Sequence, residues 1–435
     1  MFEHEQSTPS AALRRFAFRL AAAYLAVVSA ANLLQLLPFL GWTSFYLDLA
    51  WRHLVLWMER AVLGMPVLSS IRQSGSGDTE FLWMRTGCEV AVAVAAALVW
   101  GCFDRRKRWD SIVFQILRVC VRFGLAAALL NYGFAKLVPP EQFSAPMAEK
   151  LIEPVGQLSP MGMLWTFMGA SRAYTVFSGV MEVTAGFLLL WRRTTPLGAL
   201  VAAGVLLNVV VLNFSYDVPV KLYSVHLLLM SVFLLWPELR RLAAVLVMNR
   251  PTEAVDLTPP WSSGWRRIAA IGLKILVLAT VFGELIQYNA SKVSDLESDS
   301  VPPALQPLVG IWDVESFTRD RVEIAPLIAD TTRWRRVAFE NHFGQLRLLV
   351  FGTDNGPLAG WSVSRGSNDG KMLLRTMRNP KGVTMRFSPM GIDRVRLRGE
   401  VQGHLLDVTL HRVDKNQTRL LTWGFHWVSE GPWNY

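Results

Sequence analysis

Charged residues are scarce in this sequence. Of its 435 residues, 44 are basic and 34 are acidic, so 18% are charged, whereas soluble domains carry about 25%. The shortage lies in residues 1–290, and residues 291–435 have an ordinary charge content. Together with a hydrophobic content of 52%, this excludes a disordered chain and a single soluble domain. The sequence therefore predicts a membrane region followed by a soluble third.

Cysteine and the short motifs of common enzymes are also nearly absent. The three cysteines, Cys88, Cys102 and Cys120, form no CxxC pair, which excludes a disulfide framework and a thiol redox centre. The chain has no GxSxG, P-loop, dinucleotide or zinc pattern, so no catalytic motif, metal site or cofactor is evident. Its net charge of +10 comes from short basic clusters between apolar stretches, and we expect no nucleic-acid partner.

Long apolar runs fill the first two thirds of the chain. A helix that crosses a membrane needs about 20 largely apolar residues. Seven stretches come close to this requirement: 16–40, 82–103, 114–138, 170–191, 195–214, 222–237 and 268–290. We therefore expect a multi-pass α-helical membrane bundle of about seven spans over residues 1–290. Residues 42–63 carry charges and tryptophans at helical spacing, which predicts a helix lying at the membrane interface.

Basic residues recur in every second loop. They cluster at Arg14 and Arg15, at Arg105–Arg108, at Arg192–Arg193 and between residues 240 and 267. Because short loops rich in Lys and Arg stay in the cytoplasm, we expect a cytoplasmic N-terminus. Seven spans then make the last third extracytoplasmic. The seventh span contains Lys274 and Glu284, and if it did not cross, the soluble domain would be cytoplasmic.

The sequence of the last third predicts a small β-barrel. Residues 291–303 form an acidic, proline-containing linker, and residues 304–435 alternate apolar and polar side chains with period two, as half-buried strands do. The predicted strands are Trp312–Phe317, Arg335–Glu340, Gln345–Phe351, Met372–Thr376, Thr384–Phe387, Arg394–Arg398, Leu405–His411 and Leu420–Trp423. Eight or nine such strands close into a barrel.

Two features of this domain suggest how it is filled. Gly310-Ile311-Trp312 resembles the first strand of lipocalin-like barrels, in which the Trp closes one end. We expect an interior filled by side chains, with a small apolar ligand as the alternative. Arg394, Arg396 and Arg398 alternate with apolar residues and should share a solvated outer face.

Polar residues inside the predicted spans are the candidate site. Such residues are costly in a bilayer and either pair or line a site. Most fall toward the predicted outer ends of their spans or in the adjoining turn: Tyr132, Lys136, Arg172, Glu182, Asn208, Asn213, Asp217, Lys221 and His226.

Two interpretations of this group stay open. In one, the group lines a pocket open to the outside that binds a ligand. In the other, the group only stabilises the packing of the helices. Asp217 then pairs with Lys221, and Glu182 pairs with Arg172 or His226. Asn208 and Asn213 form hydrogen bonds to neighbouring helices.

Several segments resemble a known membrane family. Asn131-Tyr132-Gly133-Phe134-Ala135-Lys136, the stretch from Ser159 to Gly169, Glu182 and Tyr216-Asp217-Val218-Pro219-Val220-Lys221 look like the core of DoxX-like bacterial membrane proteins over residues 115–245. This resemblance implies the bacterial cytoplasmic (inner) membrane and a helical core. Some relatives are described as subunits of quinone-linked oxidation or as partners of thiol-stress enzymes. A looser resemblance to membrane carboxylases acting on vitamin K implies Lys136 or Lys221 as a base.

Three functional hypotheses follow. The leading one is a non-enzymatic membrane protein, surrounded by membrane lipid, that binds a small amphipathic or quinone-like ligand beneath the barrel domain. The second is a subunit of a quinone-linked membrane oxidoreductase. The third is a scaffold for a membrane or envelope protein complex. Each hypothesis predicts a different binding partner: a small molecule for the first, an electron-transfer partner for the second and a stable protein partner for the third.

Overall fold

The fold was analysed in a computed structural model of the chain. It describes residues 9–35, 42–62, 64, 77–103, 110–139, 142–254, 264–298, 301–342, 345–366, 370–376, 379, 381–414 and 418–422. The chain divides into two compact units. The first, helical unit comprises Met1–Val138 and Val176–Asn289, and the second comprises Pro139–Thr175 and Ala290–Tyr435.

Helices make up the first unit. They are α1 (Pro9–Gln35), α2 (Thr43–Ala61), α3 (Glu80–Phe103), α4 (Asp110–Leu137), most of α7 (Arg172–Leu189), α8 (Thr195–Ser215), α9 (Lys221–Leu235), α10 (Leu239–Leu246) and most of α11 (Gly264–Ser298). The second unit contains α5 (Ala148–Ile152), α6 (Pro160–Ala170) and, near the end of the described chain, α12 (Arg419–Thr422). Residues at the ends of α7 and α11 belong to it as well.

Five helical segments of the described chain are long and apolar enough to cross a membrane. They are Glu80–Phe103, Asp110–Leu137, Thr195–Ser215, Lys221–Leu246 and Ile271–Ser291. A membrane-type helical region is thus confirmed, whereas the count of about seven spans is not. Helices do occupy the two other predicted places, α1 and α7, but neither is among the five. In α7, Arg172 and Glu182 lower the hydropathy of an 18-residue helix.

Helix α2 (Thr43–Ala61) lies within residues 42–63, which were predicted as an interfacial helix. One side of α2 buries Trp51, Val55 and Glu59, while Phe45 and Trp57 are exposed. The helix is confirmed, and its place at the membrane interface stays a prediction.

Small residues set the contact between α4 and α7. A Cβ atom added to Gly133 would lie 2.9 Å from the carbonyl oxygen of Gly179, and one added to Gly179 would lie 2.9 Å from that of Gly133. Real side chains do not approach backbone atoms this closely, so only glycine fits at either position. Ala126 and Ala185 are also fully buried in this region. Small side chains let helices approach one another closely where lipid gives no hydrophobic driving force.

Nine antiparallel strands form the second unit's barrel. They are β1 (Gly310–Arg319), β2 (Val322–Glu323), β3 (Arg336–His342), β4 (Gln345–Phe351), β5 (Pro357–Arg365), β6 (Lys371–Arg375), β7 (Val383–Pro389), β8 (Arg394–Val401) and β9 (His404–Val413). Strands β3 to β9 follow β1 in sequence order, and β9 pairs with β1. Eight of the nine strands therefore close the barrel, and the two-residue β2 only pairs with the last two residues of β1.

Apolar side chains fill the barrel interior. One large cluster of buried residues draws members from each of the eight closing strands, including Trp312, Phe317, Phe339, Leu348 and Val408. The Trp312 indole donates a hydrogen bond to the Leu308 carbonyl at 2.7 Å, and the Arg412 guanidinium lies over its ring at 4.3 Å. The expected side-chain filling is found, and Trp312 is part of it; that Trp312 closes one end of the barrel stays a prediction.

Two strand predictions were wrong. Residues 420–422 belong to helix α12, not to a strand, and Trp423 lies outside the described residues. Strand β5 was missed because Pro357, Gly360 and its serines weaken the apolar alternation.

Two other predictions for the last third can be compared with the structure. Helix α11 continues through Ser298, so the first part of the predicted linker is helical. The arginines of β8 do lie on the outer face, where Arg396 and Arg398 pair with Asp407.

The segment between α4 and α7 packs on the outside of the barrel. Ala148 and Ile152 of α5 are buried against Ile311, Leu349 and Phe351. The backbone amide of Glu149 donates to a Glu340 carboxylate oxygen at 3.3 Å. The predicted division at residue 290 is therefore too simple, because Pro139–Thr175 folds with the barrel and not with the helical unit.

Candidate functional site

The close contact of α4 and α7 brings a lysine to a glutamate. Lys136 follows Gly133 by three residues, and Glu182 follows Gly179 by three. Residues three apart share a helix face, so each charged side chain lies beside the glycine that allows the close approach. The register of this helix pair therefore decides that Lys136 and Glu182 meet.

Lys136 and Glu182 form a buried ion pair. The Lys136 Nζ lies 2.6 Å from a Glu182 Oε atom, and the two residues are only 6% and 3% exposed. The Nζ also donates to the Tyr132 carbonyl at 3.3 Å. Both charges are thus removed from solvent and held by each other, an arrangement in which a charge-assisted hydrogen bond is strong but desolvation is costly.

Two tyrosines lie beside this ion pair. The Lys136 ammonium is 5.8 Å from the centre of the Tyr132 ring, within the range of a cation–π interaction. The Tyr132 ring in turn contacts the Tyr223 ring of α9, with centroids 5.9 Å apart. Tyr132 is 38% exposed. The ion pair is therefore bordered on one side by aromatic rings, one of which reaches the surface of the helical unit.

His226 has a different partner. Its Nε2 lies 2.7 Å from the Tyr24 hydroxyl of α1, and the two rings are in contact. This hydrogen bond joins α1 to α9. The partner of His226 is therefore Tyr24, and not Glu182. The partner found for Glu182 is Lys136, which the packing hypothesis did not name.

Asp217 and Lys221 pair with each other, as the packing hypothesis expected. Their side chains are 2.7 Å apart, and that of Asp217 is largely exposed. Asp78, which sequence reasoning missed, accepts hydrogen bonds from the backbone amides of Lys221 and Leu222 at 2.8 and 3.2 Å. Asp78 thereby caps the start of α9. Asp78, Asp217 and Lys221 therefore have a structural role in the turn between α8 and α9.

The three remaining predicted residues lie on α8 and at the start of α7. Asn208 is exposed on α8, and Asn213 is buried with its Nδ2 atom lacking a hydrogen-bond partner in the described chain. Arg172 is exposed at the start of α7 and belongs to the second unit. The single polar cluster expected from the sequence is instead three contacts: Lys136–Glu182, Tyr24–His226, and Asp217–Lys221 with Asp78.

Sequence reasoning also missed a buried ion pair at the other end of α4. The Arg19 Nε of α1 lies 2.9 Å from an Asp110 oxygen, and both side chains are almost fully buried. Arg19 falls within the first predicted span, where it was passed over as part of the apolar run. Within the described residues, no group of three His, Cys, Asp or Glu side chains is placed to hold a metal ion.

Comparison with known proteins gives a family but no activity. One relative is the "Uncharacterized protein YwoB" of Bacillus subtilis (strain 168), which is 35% identical over 151 residues. The match covers 33% of this chain and 90% of the relative. This chain belongs to the YwoB family. The YwoB likeness leaves two thirds of the chain without a counterpart, and the name of YwoB assigns no ligand or reaction.

Comparisons with protein-family models and with solved structures give no further indication of function. No protein-family model matches the chain, and no solved structure matches it significantly. The resemblance to DoxX-like proteins therefore stays a prediction alongside membership of the YwoB family.

Proposed function

We propose that this chain is a non-enzymatic protein of the bacterial inner membrane that binds a small amphipathic molecule at the Lys136–Glu182 ion pair. The observation that carries the proposal is a buried ion pair, with Nζ and Oε2 2.6 Å apart, between α4, which is one of the five apolar spans, and α7. Replacing a buried ion pair by apolar residues of similar volume is often neutral or stabilising. A pair kept in such a place, beside a partly exposed tyrosine, therefore favours a functional role.

The neighbouring groups indicate the chemistry of the ligand. Lys136 can donate a hydrogen bond to a carbonyl or anionic oxygen, and Glu182 can accept one from a hydroxyl. The rings of Tyr132 and Tyr223 offer faces against which a flat aromatic head can pack. A quinone or quinol combines a flat ring with carbonyl or hydroxyl oxygens and an apolar tail. A quinone-like molecule is therefore the ligand that we expect first.

The proposed topology rests on chain connectivity. Pro139–Thr175 and the barrel form one compact unit, so both must lie on the same side of a membrane. The chain between them must then cross an even number of times. Three of the five apolar spans fall there, so a fourth crossing is required, and α7 is the available helix. With α1, α3 and α4 we propose seven spans. The basic clusters in alternate loops, which favour the cytoplasm, support a cytoplasmic N-terminus and hence an extracytoplasmic barrel.

The test is to identify what is purified with the protein. The full chain, extracted in mild detergent, is analysed by mass spectrometry and absorption spectroscopy, and compared with Lys136→Met. Lys221→Met serves as the matched control because Lys221 pairs with the exposed Asp217. We expect a quinone-like molecule with the wild type and the control, and its loss from Lys136→Met.

Several results would count against the proposal. If folded Lys136→Met retains the ligand, the ion pair only stabilises the packing of α4 on α7. The same conclusion holds if no small molecule is found in any preparation. A bound quinone together with a stable redox partner would favour the oxidoreductase subunit. A stable protein partner without any small molecule would favour the scaffold.

A further inference from the structure

Arginines gather at the end of the helical unit where α7 turns into α8. Arg118 and Arg122 lie four residues apart on α4, Arg192 lies in the turn after α7, and Arg241 lies on α10. We call these four residues, with Glu238, the arginine cluster. Glu238 is the carboxylate of this cluster, and it accepts hydrogen bonds from Arg118 at 3.0 Å and from Arg241 at 2.7 Å.

Arg122 is a buried member of the cluster that has no ion-pair partner in the described part of the chain. It is only 8% exposed, and its Nε has no hydrogen-bond partner among the described residues. The charges of Arg192 and Arg118 act on it, while its guanidinium lies 4.7 Å from the centre of the Phe123 ring. A buried charge without a partner is strongly unfavourable. The arrangement is therefore incomplete without an anion.

Its four arginines and one glutamate give the cluster a formal charge of +3, and two of the arginines, Arg118 and Arg241, bond to Glu238. Guanidinium groups bind phosphate through paired N–H donors, and several of them around one oxyanion are typical of phosphate recognition. Arg192 is exposed, so the cluster is open to an incoming group at one side. A phosphate group fits both the surplus charge and the buried donor of Arg122.

Neighbouring tryptophans indicate where this phosphate would be carried. Trp191 precedes Arg192 and is 54% exposed, and Trp236 lies two residues before Glu238 and is 64% exposed. Exposed tryptophans at the ends of membrane spans lie at the level of the lipid head groups. Arg192 also belongs to the basic loops that predict the cytoplasmic side, where anionic lipids are concentrated.

We propose that the arginine cluster binds the phosphate of an anionic phospholipid, with the guanidinium of Arg122 completing the site from within the helical unit. This proposal is independent of the ligand proposed for Lys136 and Glu182. It predicts a bound lipid at the predicted cytoplasmic end of the bundle, held through its phosphate.

The test compares lipids around the full-length protein. The protein is placed in nanodiscs of phosphatidylcholine alone or with phosphatidylglycerol, thermal unfolding is followed, and retained lipid is counted by native mass spectrometry. We expect phosphatidylglycerol to be retained and to raise the unfolding temperature. In Arg122→Met its affinity should fall roughly tenfold, the effect of losing one charge-assisted hydrogen bond. Arg193→Met, the exposed neighbour of Arg192, is the control and should bind as the wild type does.

Two further arms keep the test decisive. If Arg122→Met does not fold, Arg192→Met replaces it, because the exposed position tolerates substitution. Inorganic phosphate is added in detergent, and stabilisation by it without preference for phosphatidylglycerol would show a site for free phosphate and overturn the lipid proposal. Equal retention of both lipids would do so as well, as would an Arg122→Met variant that keeps the preference. A higher unfolding temperature of that variant in every lipid would show that Arg122 binds no anion.

Discussion

The two units of this protein place their charges differently. In the helical unit, Lys136, Glu182 and Arg122 are buried. In the barrel, the interior cluster is apolar, and ion pairs such as Arg396–Asp407 lie on the outer face. A water-soluble domain can place charge outside at little cost, whereas a buried charge must be offset by a partner. Arg333 and Glu340 of the second unit are buried as well, but Arg333 is held by the backbone carbonyls of Ile324 and Trp334, and the barrel interior is apolar. The buried Lys136–Glu182 ion pair therefore locates the candidate function in the helical unit.

The largest expected effect tests the barrel's dependence on apolar packing. Trp312→Ala should destabilise the barrel by about 5 kcal/mol, the upper end for a buried aromatic, because it also removes the hydrogen bond to Leu308 and the contact with Arg412. Hydrogen exchange of barrel peptides in the full chain measures the change. Ile392→Ala, at a residue 93% exposed, should have little effect. A small loss at Trp312 would contradict the filled-interior description.

The next effect tests the dependence of the helical unit on paired charge. Glu182→Met should cost about 4 kcal/mol because it leaves the Lys136 charge buried and unpaired. The double variant Lys136→Met with Glu182→Met should regain most of that stability, since no charge then remains. The midpoint of detergent-induced unfolding, followed by helical circular dichroism, gives both values. Equal losses in the single and double variants would mean that the pair stabilises the unit through more than mutual neutralisation.

A smaller effect tests the glycine contact that brings the charges together. Gly133→Ala places a Cβ 2.6 Å from a Val183 methyl and 2.9 Å from the Gly179 oxygen, so α4 and α7 must move apart. We expect a loss of about 2 kcal/mol. Gly204→Ala on α8 meets nothing within 4 Å and is the matched control, for which no loss is expected. The same unfolding measurement applies, and equal behaviour of the two variants would contradict the close contact.

The smallest effect concerns the outer face of the barrel. Hydrogen bonds from Arg396, with Arg398 beside it, lower the pKa of Asp407 below its ordinary value. A lowered folded-state pKa gives stability that is present above the unfolded pKa of about 3.9 and is lost as the pH falls through the folded value. Asp407→Asn should therefore cost less than about 1 kcal/mol at neutral pH and nothing at strongly acidic pH. Hydrogen exchange of β8 and β9 at several pH values measures this, and a pH-independent loss would refute it.

Much of the fold was predictable from local pattern. Apolar runs of sufficient length placed the helices that became α3, α4, α8, α9 and α11. Period-two alternation placed most barrel strands, because each strand has one face in the core. The pattern failed at β5, where Gly360 and serines interrupt the alternation. It also failed at residues 420–422, where an apolar run too short to show a period forms a helical turn.

The candidate site was predictable in its residues but not in its pairings. Lys136, Glu182 and His226 stood out because polar groups inside apolar helices are rare. Their partners lie far away in sequence: Glu182 is 46 residues from Lys136, and His226 is 202 residues from Tyr24. Asp78 carried no local signal because it lies in a loop, whereas Arg122 lies within the predicted span 114–138 and was overlooked as a charge in an apolar helix.

The sequence by itself determined that an apolar helical region precedes a β-barrel, and that a few polar groups lie among its apolar helices. Composition and periodicity suffice for this because each depends on residues close together in the chain. Only the tertiary structure decided that Lys136 meets Glu182, that His226 meets Tyr24 and that, among the described residues, Arg122 has no carboxylate partner. Those outcomes depend on the register between helices, which is set by contacts such as that of Gly133 with Gly179. A register fixed by packing between distant segments cannot be read from either segment alone.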